Sequence, residues 1–176
     1  VHFEELALSG AYLIDIEPHI DERGFFARAF CQEEFTAQGL VAGFSQASIS
    51  FNARRGTVRG MHFSVEPHAE TKLVRCTAGA IHDVIVDLRP GSKTYLEALG
   101  VELSARNRRA LYIPIGLAHG FQVLTDETEV LYLIDIAFVA SAARGIRWND
   151  PAVKICWPEP IRLISDRDLQ FSDWQP

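Results

Sequence analysis

The feature that most constrains this chain is its punctuation. Turn-forming clusters recur along the chain and break it into short runs, the signature of many short strands rather than helices. They are Asp21-Glu22-Arg23-Gly24, Arg55-Gly56, Ala78-Gly79, Pro90-Gly91, Ala105-Arg106-Asn107 and Thr125-Asp126-Glu127. The runs between them predict strands over 12–16, 24–30, 44–51, 57–63, 72–77, 80–88, 98–103, 110–113, 118–124 and 129–138. Only 32–38 and 166–169 read as helical. An all-β sandwich or barrel is the architecture that such spacing favours.

Period-2 alternation then sorts faces. In His82-Asp83-Val84-Ile85-Val86-Asp87-Leu88, the apolar residues 84, 86 and 88 share one face, and Asp83 and Asp87 share the other with Ile85. Lys72, Val74 and Cys76 share a face, as do Val58, Gly60, His62 and Ser64. Ionisable groups spaced along otherwise apolar strands suggest a barrel with a polar lumen. Arg59 and His62 differ by an odd number, so a regular strand would place them on opposite faces. Gly60 between them permits a bulge that would bring both into one pocket.

Composition narrows the function. With 176 residues the chain suits one domain, 1–176. Apolar residues make up 48% and charged residues 23%, which argues against disorder. The net charge of −6 gives no general attraction to nucleic acid or to an anionic membrane. The three cysteines, Cys31, Cys76 and Cys156, are far apart and form no CxxC, so neither a disulfide framework nor a structural zinc site is expected. No basic, apolar leader opens the sequence, and a cytoplasmic location is the default expectation.

Pro114-Ile115-Gly116-Leu117-Ala118-His119 resembles the P-x-G-x-x-H signature of the cupin superfamily, whose fold is a jelly-roll barrel. Metal-binding cupins carry an H-x-H pair upstream. Here His62 is followed by Phe63-Ser64, which leaves only His62, Glu70 and His119, a thin set for a first-row metal.

A closer resemblance runs through eight segments in order. Asp21-Glu22-Arg23-Gly24-Phe25-Phe26, Arg59-Gly60-Met61-His62-Phe63, Lys72-Leu73-Val74-Arg75 and Asp83-Val84-Ile85-Val86-Asp87-Leu88-Arg89 are the first four. Leu103-Ser104-Ala105-Arg106-Asn107, Ile113-Pro114 with Ala118-His119-Gly120-Phe121, Gly145-Ile146-Arg147-Trp148-Asn149-Asp150-Pro151 and Ser165-Asp166-Arg167-Asp168 complete it. Together they are similar to the dTDP-4-dehydrorhamnose 3,5-epimerase family, cupins that act on nucleotide sugars.

That resemblance implies a cupin jelly roll and a dTDP-linked, or other nucleoside-diphosphate-linked, 4-keto-6-deoxy sugar as substrate. It implies epimerisation at C3, C5 or both, by proton removal next to the 4-ketone and return on the opposite face. No redox cofactor and no metal are needed. His62 matches the base, Asp168 its orienting carboxylate with Asp166 as fallback, Tyr132 the opposite-face acid, and Lys72 the charge at the ketone oxygen. Arg59 would hold diphosphate, with Arg23 and Phe26 reaching across a homodimer boundary. His119 would support or touch the sugar. Gln46, Glu70 and Phe138 fall at substrate-contacting positions, and Asp83 would set the protonation of Lys72. The pathways implied are surface-polysaccharide or glycosylated-metabolite synthesis.

Several positions depart from the family's pattern. Arg28 stands where Glu often contacts thymine, and Arg cannot accept a hydrogen bond from a pyrimidine N–H. Ser64, Ser48 and Glu70 replace Gln, Asn and Gln, while Leu133 and Phe138 replace Lys and Tyr. Kept catalytic positions beside altered binding positions suit a relative acting on a different 4-keto sugar or on one carbon only. Two other readings stand beside it: a metal-dependent cupin oxygenase or isomerase built on His62, Glu70 and His119, and a non-catalytic sugar-nucleotide-binding cupin.

Overall fold

Residues 1–175 are described by the computed structural model. Thirteen strands and two short helices follow one another as β1 (His2–Glu5), β2 (Tyr12–Asp15), β3 (His19–Asp21), β4 (Gly24–Phe26), α1 (Gln32–Ala37), β5 (Gln46–Asn52), β6 (Val58–Ser64) and β7 (Lys72–Ala78). Then come β8 (Ala80–Asp87), β9 (Ala98–Ser104), β10 (Ala110–Ile113), β11 (Leu117–Val123), β12 (Thr128–Ile134), β13 (Ala143–Gly145) and α2 (Asp166–Leu169). One antiparallel sheet has the order β1-β2-β10-β7-β12-β5, and a second has β13-β6-β11-β8-β9. They pack face to face as a jelly roll, the all-β architecture that the punctuation predicts.

The core lies where alternation sends it. Val74, Cys76, Ile81, Ile85, Phe121, Val123 and Val130 meet between the sheets. Val84, Val86 and Leu88, on the opposite face of β8, pack instead with Met61, Ala118, Ile146 and Val153 under Trp157 and Trp174. The C-terminal segment therefore covers the outer face of the smaller sheet. Asp83 and Asp87, on the inner face of β8, are fully buried, which bears out the polar lumen. A third cluster joins Phe35 of α1 to Ile14, Leu73, Ala110 and Tyr112 on the outside of the larger sheet.

Three short strands escape sequence reading: β1, β3 and β13. Each has three or four residues and is mostly exposed or half-exposed, so no apolar alternation marks it. The strand expected over 24–30 stops at Phe26, because β3 and β4 form a separate exposed hairpin that pairs only over three residues. The strand expected over 129–138 stops at Ile134, where its partner β5 begins at Gln46.

Candidate active site

The expected regular alternation of β6 fails at Gly60, and the failure builds the site. His62 pairs with His119 and Arg59 pairs with Phe121, so three steps on β6 match two on β11. The extra residue is a bulge, and it turns Arg59 and His62 to the same side. Gly60 has φ +123, and an added Cβ there would lie 2.6 Å from the Gly120 Cα. A Cβ on Gly120 would in turn lie 2.7 Å from the Arg59 carbonyl oxygen. Two facing glycines thus let the strands approach where the bulge forms.

The C-terminal segment returns to this point. Arg162 N–H donates to the Gly56 carbonyl (2.9 Å) and Val58 N–H to the Leu163 carbonyl (2.8 Å). Ser165 then caps α2 by accepting from Asp168 N–H at 3.1 Å. This delivers Asp168, nearly fully buried, to the bulge. Its Oδ1 lies 2.7 Å from His62 Nε2, and its Oδ2 accepts from Gly60 N–H at 3.1 Å. Burial pushes the Asp168 carboxyl up, but the hydrogen bond and charge of His62 and the Gly60 N–H outweigh it and hold it below the usual aspartate range. Asp166 is exposed in the first turn of the same helix and does not reach His62.

A cleft of about 300 Å³ opens between the sheets at His62. Its walls include Arg59, Glu70, Lys72, His119, Tyr132 and Phe138, with Ser48, Ser50, Arg144 and Arg167 at its edges. Lys72 is buried and its Nζ lies 3.0 Å from Glu70 Oε1. The expectation that Asp83 would govern Lys72 is therefore corrected. Asp83 Oδ1 lies 2.6 Å from His119 Nε2 instead. Asp83 faces Phe121 and His119 faces Ile85 in the β8–β11 register, two inward positions side by side. Lys72 lies at the end of β7, opposite Ile134, beyond that pair.

Tyr132 projects inward from β12, its ring 6.0 Å from that of His119 and perpendicular to it. Burial first, and the negative charge of Asp83 second, push its phenol far above the usual tyrosine range, against a smaller opposing effect of Arg59. The hydroxyl therefore keeps its proton at neutral pH. Arg59 is aimed by its own bond, Nε donating to Asn52 Oδ1 at 2.7 Å.

Gln46 does not line the cleft. Its Oε1 accepts from Phe138 N–H at 2.6 Å, so it fixes the loop that carries Phe138. Arg23 and Phe26 lie on the β3–β4 hairpin, exposed and away from the cleft of their own chain, with Arg23 paired to Asp21. Among the described residues no group of three or more His, Cys, Asp or Glu side chains gathers as a metal-ligand set. His62, His119 and Glu70 each face a different partner. Sequence reasoning missed Arg144 and Arg167 as cleft residues, although Arg167 sits inside a quoted motif. It also missed Ser50, for which no pattern was available.

A jelly roll with an imidazole–carboxylate pair, a protonated phenol and a buried ammonium around one cleft defines an acid–base enzyme of the cupin kind. The comparisons carry this further. The family model described as dTDP-4-dehydrorhamnose 3,5-epimerase matches residues 5–175. A relative of that name from Sinorhizobium fredii is 40% identical over 169 residues, 96% of this chain and 87% of its own. The crystal structure of a dTDP-4-dehydrorhamnose 3,5-epimerase from Bacillus anthracis, with TDP and PPi bound, superposes with a TM-score of 0.93 at 38% identity, covering 98% of this chain and 99% of that one. An epimerase from Legionella pneumophila in complex with dTDP-4-keto-L-rhamnose gives a TM-score of 0.87 at 32% identity, over 95% and 89% of the two chains. The chain belongs to the dTDP-4-dehydrorhamnose 3,5-epimerase family, isomerases that act on a sugar nucleotide.

Proposed function

We propose that this chain, working as one domain over 1–176, epimerises a dTDP-linked 4-keto-6-deoxyhexose at C3, C5 or both. The observation that carries the reading is the His62–Asp168 pair at 2.7 Å facing a protonated Tyr132 across one cleft. Inversion next to a ketone needs a base on one face, an acid on the other, and positive charge where the enolate oxygen develops.

His62 takes the proton from the carbon next to the C4 ketone. Asp168 holds Nε2, which leaves Nδ1 for the transfer, and its charge stabilises the imidazolium that forms. The electrons move into an enolate whose oxygen is met by the Lys72 ammonium. Tyr132 returns a proton to the opposite face, and the ketone reforms. The His62 imidazolium then gives its proton to water and the Tyr132 phenolate takes one up, so both groups return to their starting state. No electron leaves the sugar, so the chemistry consumes no cofactor.

Substrate placement rests on the cations around the cleft. Arg59, Lys72, Arg144 and Arg167 outnumber Glu70, the single carboxylate of the lining, and a local excess of this kind holds a diphosphate even on a chain of net charge −6. TDP with PPi and dTDP-4-keto-L-rhamnose, bound by the Bacillus and Legionella proteins, are ligands of the matching chemistry. His119, Glu70 and Phe138 are assigned to the sugar, Phe138 lying 58% exposed at the cleft rim. The exposed hairpin residues Ile20, Phe25 and Phe26 support a homodimer in which Arg23 and Phe26 enter the neighbour's site. No described helix is long and apolar enough to cross a membrane. We place the enzyme in the cytoplasm, in dTDP-rhamnose or related deoxysugar synthesis for polysaccharides.

The test is incubation with dTDP-4-keto-6-deoxyglucose in deuterated water. Solvent deuterium at C3, C5 or both is the expected result, and the labelled position reports which carbon inverts. Absence of label with every nucleotide sugar tried would favour a binding protein, and turnover that depends on added metal would favour the metal-dependent alternative.

A further inference from the structure

The bond from Asp168 fixes one nitrogen of His62 but not the plane of the ring. An imidazole held at Nε2 alone can still turn about the N···O line, and proton transfer needs a defined ring plane. The structure supplies a second contact from an unexpected place. Gly145 of β13 pairs directly with His62 of β6, so no side chain covers the ring from that neighbour. The edge of Phe171 occupies the gap. An added Cβ on Gly145 would lie 2.3 Å from both Cε2 and Cζ of Phe171. The Phe171 ring meets the His62 ring edge-on, with centroids 5.8 Å apart and planes at 74°.

Phe171 is itself held on both sides. It follows Asp168 by three residues, just beyond α2. The Arg167 guanidinium stacks 5.9 Å from its ring centroid. Beyond it, Asp173 pairs with Arg147 at 2.6 Å, and Trp174 Nε1–H donates to the Tyr95 hydroxyl at 2.9 Å. The backbone on either side of the ring is thus tied down, by the capped helix α2 before it and by the anchored tail after it. Phe171 does not line the cleft itself; its contact with the base is through the His62 ring.

We infer that Phe171, seated in the notch left by Gly145, is a positioning residue that fixes the plane of the His62 imidazole, and that the missing side chain of Gly145 is what admits it. The inference deepens the epimerase reading and rests on His62 being the base.

The test compares F171A, F171L and G145A, each first checked for wild-type melting behaviour. G145A keeps the phenyl group but drives its ring out of the notch, because the clashing atoms are the far end of a side chain that can swing. In deuterium exchange, F171A and G145A should each lose about tenfold in kcat, with KM for the nucleotide sugar within about twofold of wild type. F171L, which restores bulk, should recover most of the loss. In the free protein, the His62 imidazole NMR resonances should move in F171A and G145A while those of His119 stay. Wild-type kcat in folded F171A would overturn the inference, as would a loss carried wholly in KM. If the wild-type protein exchanges no deuterium, the epimerase reading falls, and the imidazole resonances alone decide the role of Phe171.

Discussion

Asp83 and His119 form a buried pair, Oδ1 to Nε2 at 2.6 Å, across adjacent strands β8 and β11. Asp83 is fully buried, and its Oδ2 has no hydrogen-bond partner. A carboxylate so placed depends on its one donor. Its charge also reaches Tyr132, raising the phenol's pKa beyond what burial does. Asp83→Asn removes that charge, so Tyr132 should ionise at lower pH than in the wild type. Ultraviolet difference titrations of wild type against Y132F and of D83N against D83N/Y132F together read the shift. An unchanged titration would separate Asp83 from Tyr132.

Asp168 acts through His62. Asp168→Asn keeps the shape but supplies no charge to stabilise the imidazolium. Deuterium exchange should fall by about 10²-fold or more, with KM little changed. Tyr132→Phe should lose a similar factor for a different reason, because the fold is kept and only the proton donor is gone. Single-turnover exchange assays on both variants check this.

How much of this was legible beforehand depends on what each feature rests on. The seven long strands, β5 to β9, β11 and β12, follow from alternation and turn chemistry, which are local. So does the inward face of Lys72, Val74 and Cys76. The family resemblance singled out His62, Tyr132 and Lys72, which meet in one cleft, and Asp168, which bonds His62 across 106 positions of sequence. The partner of Asp83 was misread, because neighbours across a sheet depend on register between distant strands, and the β8–β11 register leaves no mark in either segment. β13 was invisible for the same reason: three residues of no distinctive composition pair with β6 because the C-terminal half passes there. Phe171 had no signal at all, since its role exists only beside Gly145.

Gly60 carries a second prediction about geometry. Its φ of +123 lies in a region that side chains rarely adopt, and a Cβ would meet Gly120 backbone atoms at 2.6 Å. Gly60→Ala should therefore destabilise the fold by roughly 1–3 kcal/mol, read by urea denaturation. It should also shift the N–H that Asp168 accepts from. Activity should fall further than stability accounts for when both are measured well below the melting temperature.

Glu70 and Lys72 are a nearly buried ion pair at 3.0 Å, with side chains 12% and 9% exposed. Removing one partner strands the other. Lys72→Met should cost roughly 3 kcal/mol, and adding Glu70→Gln in the double variant should recover much of that. Kinetically the result differs: kcat stays low in both, because the ammonium at the ketone oxygen is gone. A double-mutant cycle in denaturation and kcat separates the two effects. E70Q alone keeps the lysine but takes away its counter-ion, so it should lose stability as K72M does while kcat falls less than in K72M.

Acid stability turns on Asp87. Its carboxylate sits at the end of β8, fully buried, and accepts from Arg89, Ser92 and Thr94. Burial raises its pKa, but these donors more than reverse the effect and hold it well below the usual 3.8. A carboxyl with a depressed folded-state pKa favours the native state above its unfolded pKa, and this contribution fades as pH falls through the folded value. Asp168 has the same sign. The melting temperature should therefore be flat near neutrality and drop below about pH 4. Asp87→Asn should lower stability at pH 7 by roughly 1–3 kcal/mol, since Asn cannot accept from all three partners on both sides. It should also flatten the acid limb, because the group that titrates there is gone. Calorimetric melts of wild type and D87N from pH 7 to pH 3 test both statements, and parallel acid limbs would show that another carboxylate governs acid unfolding.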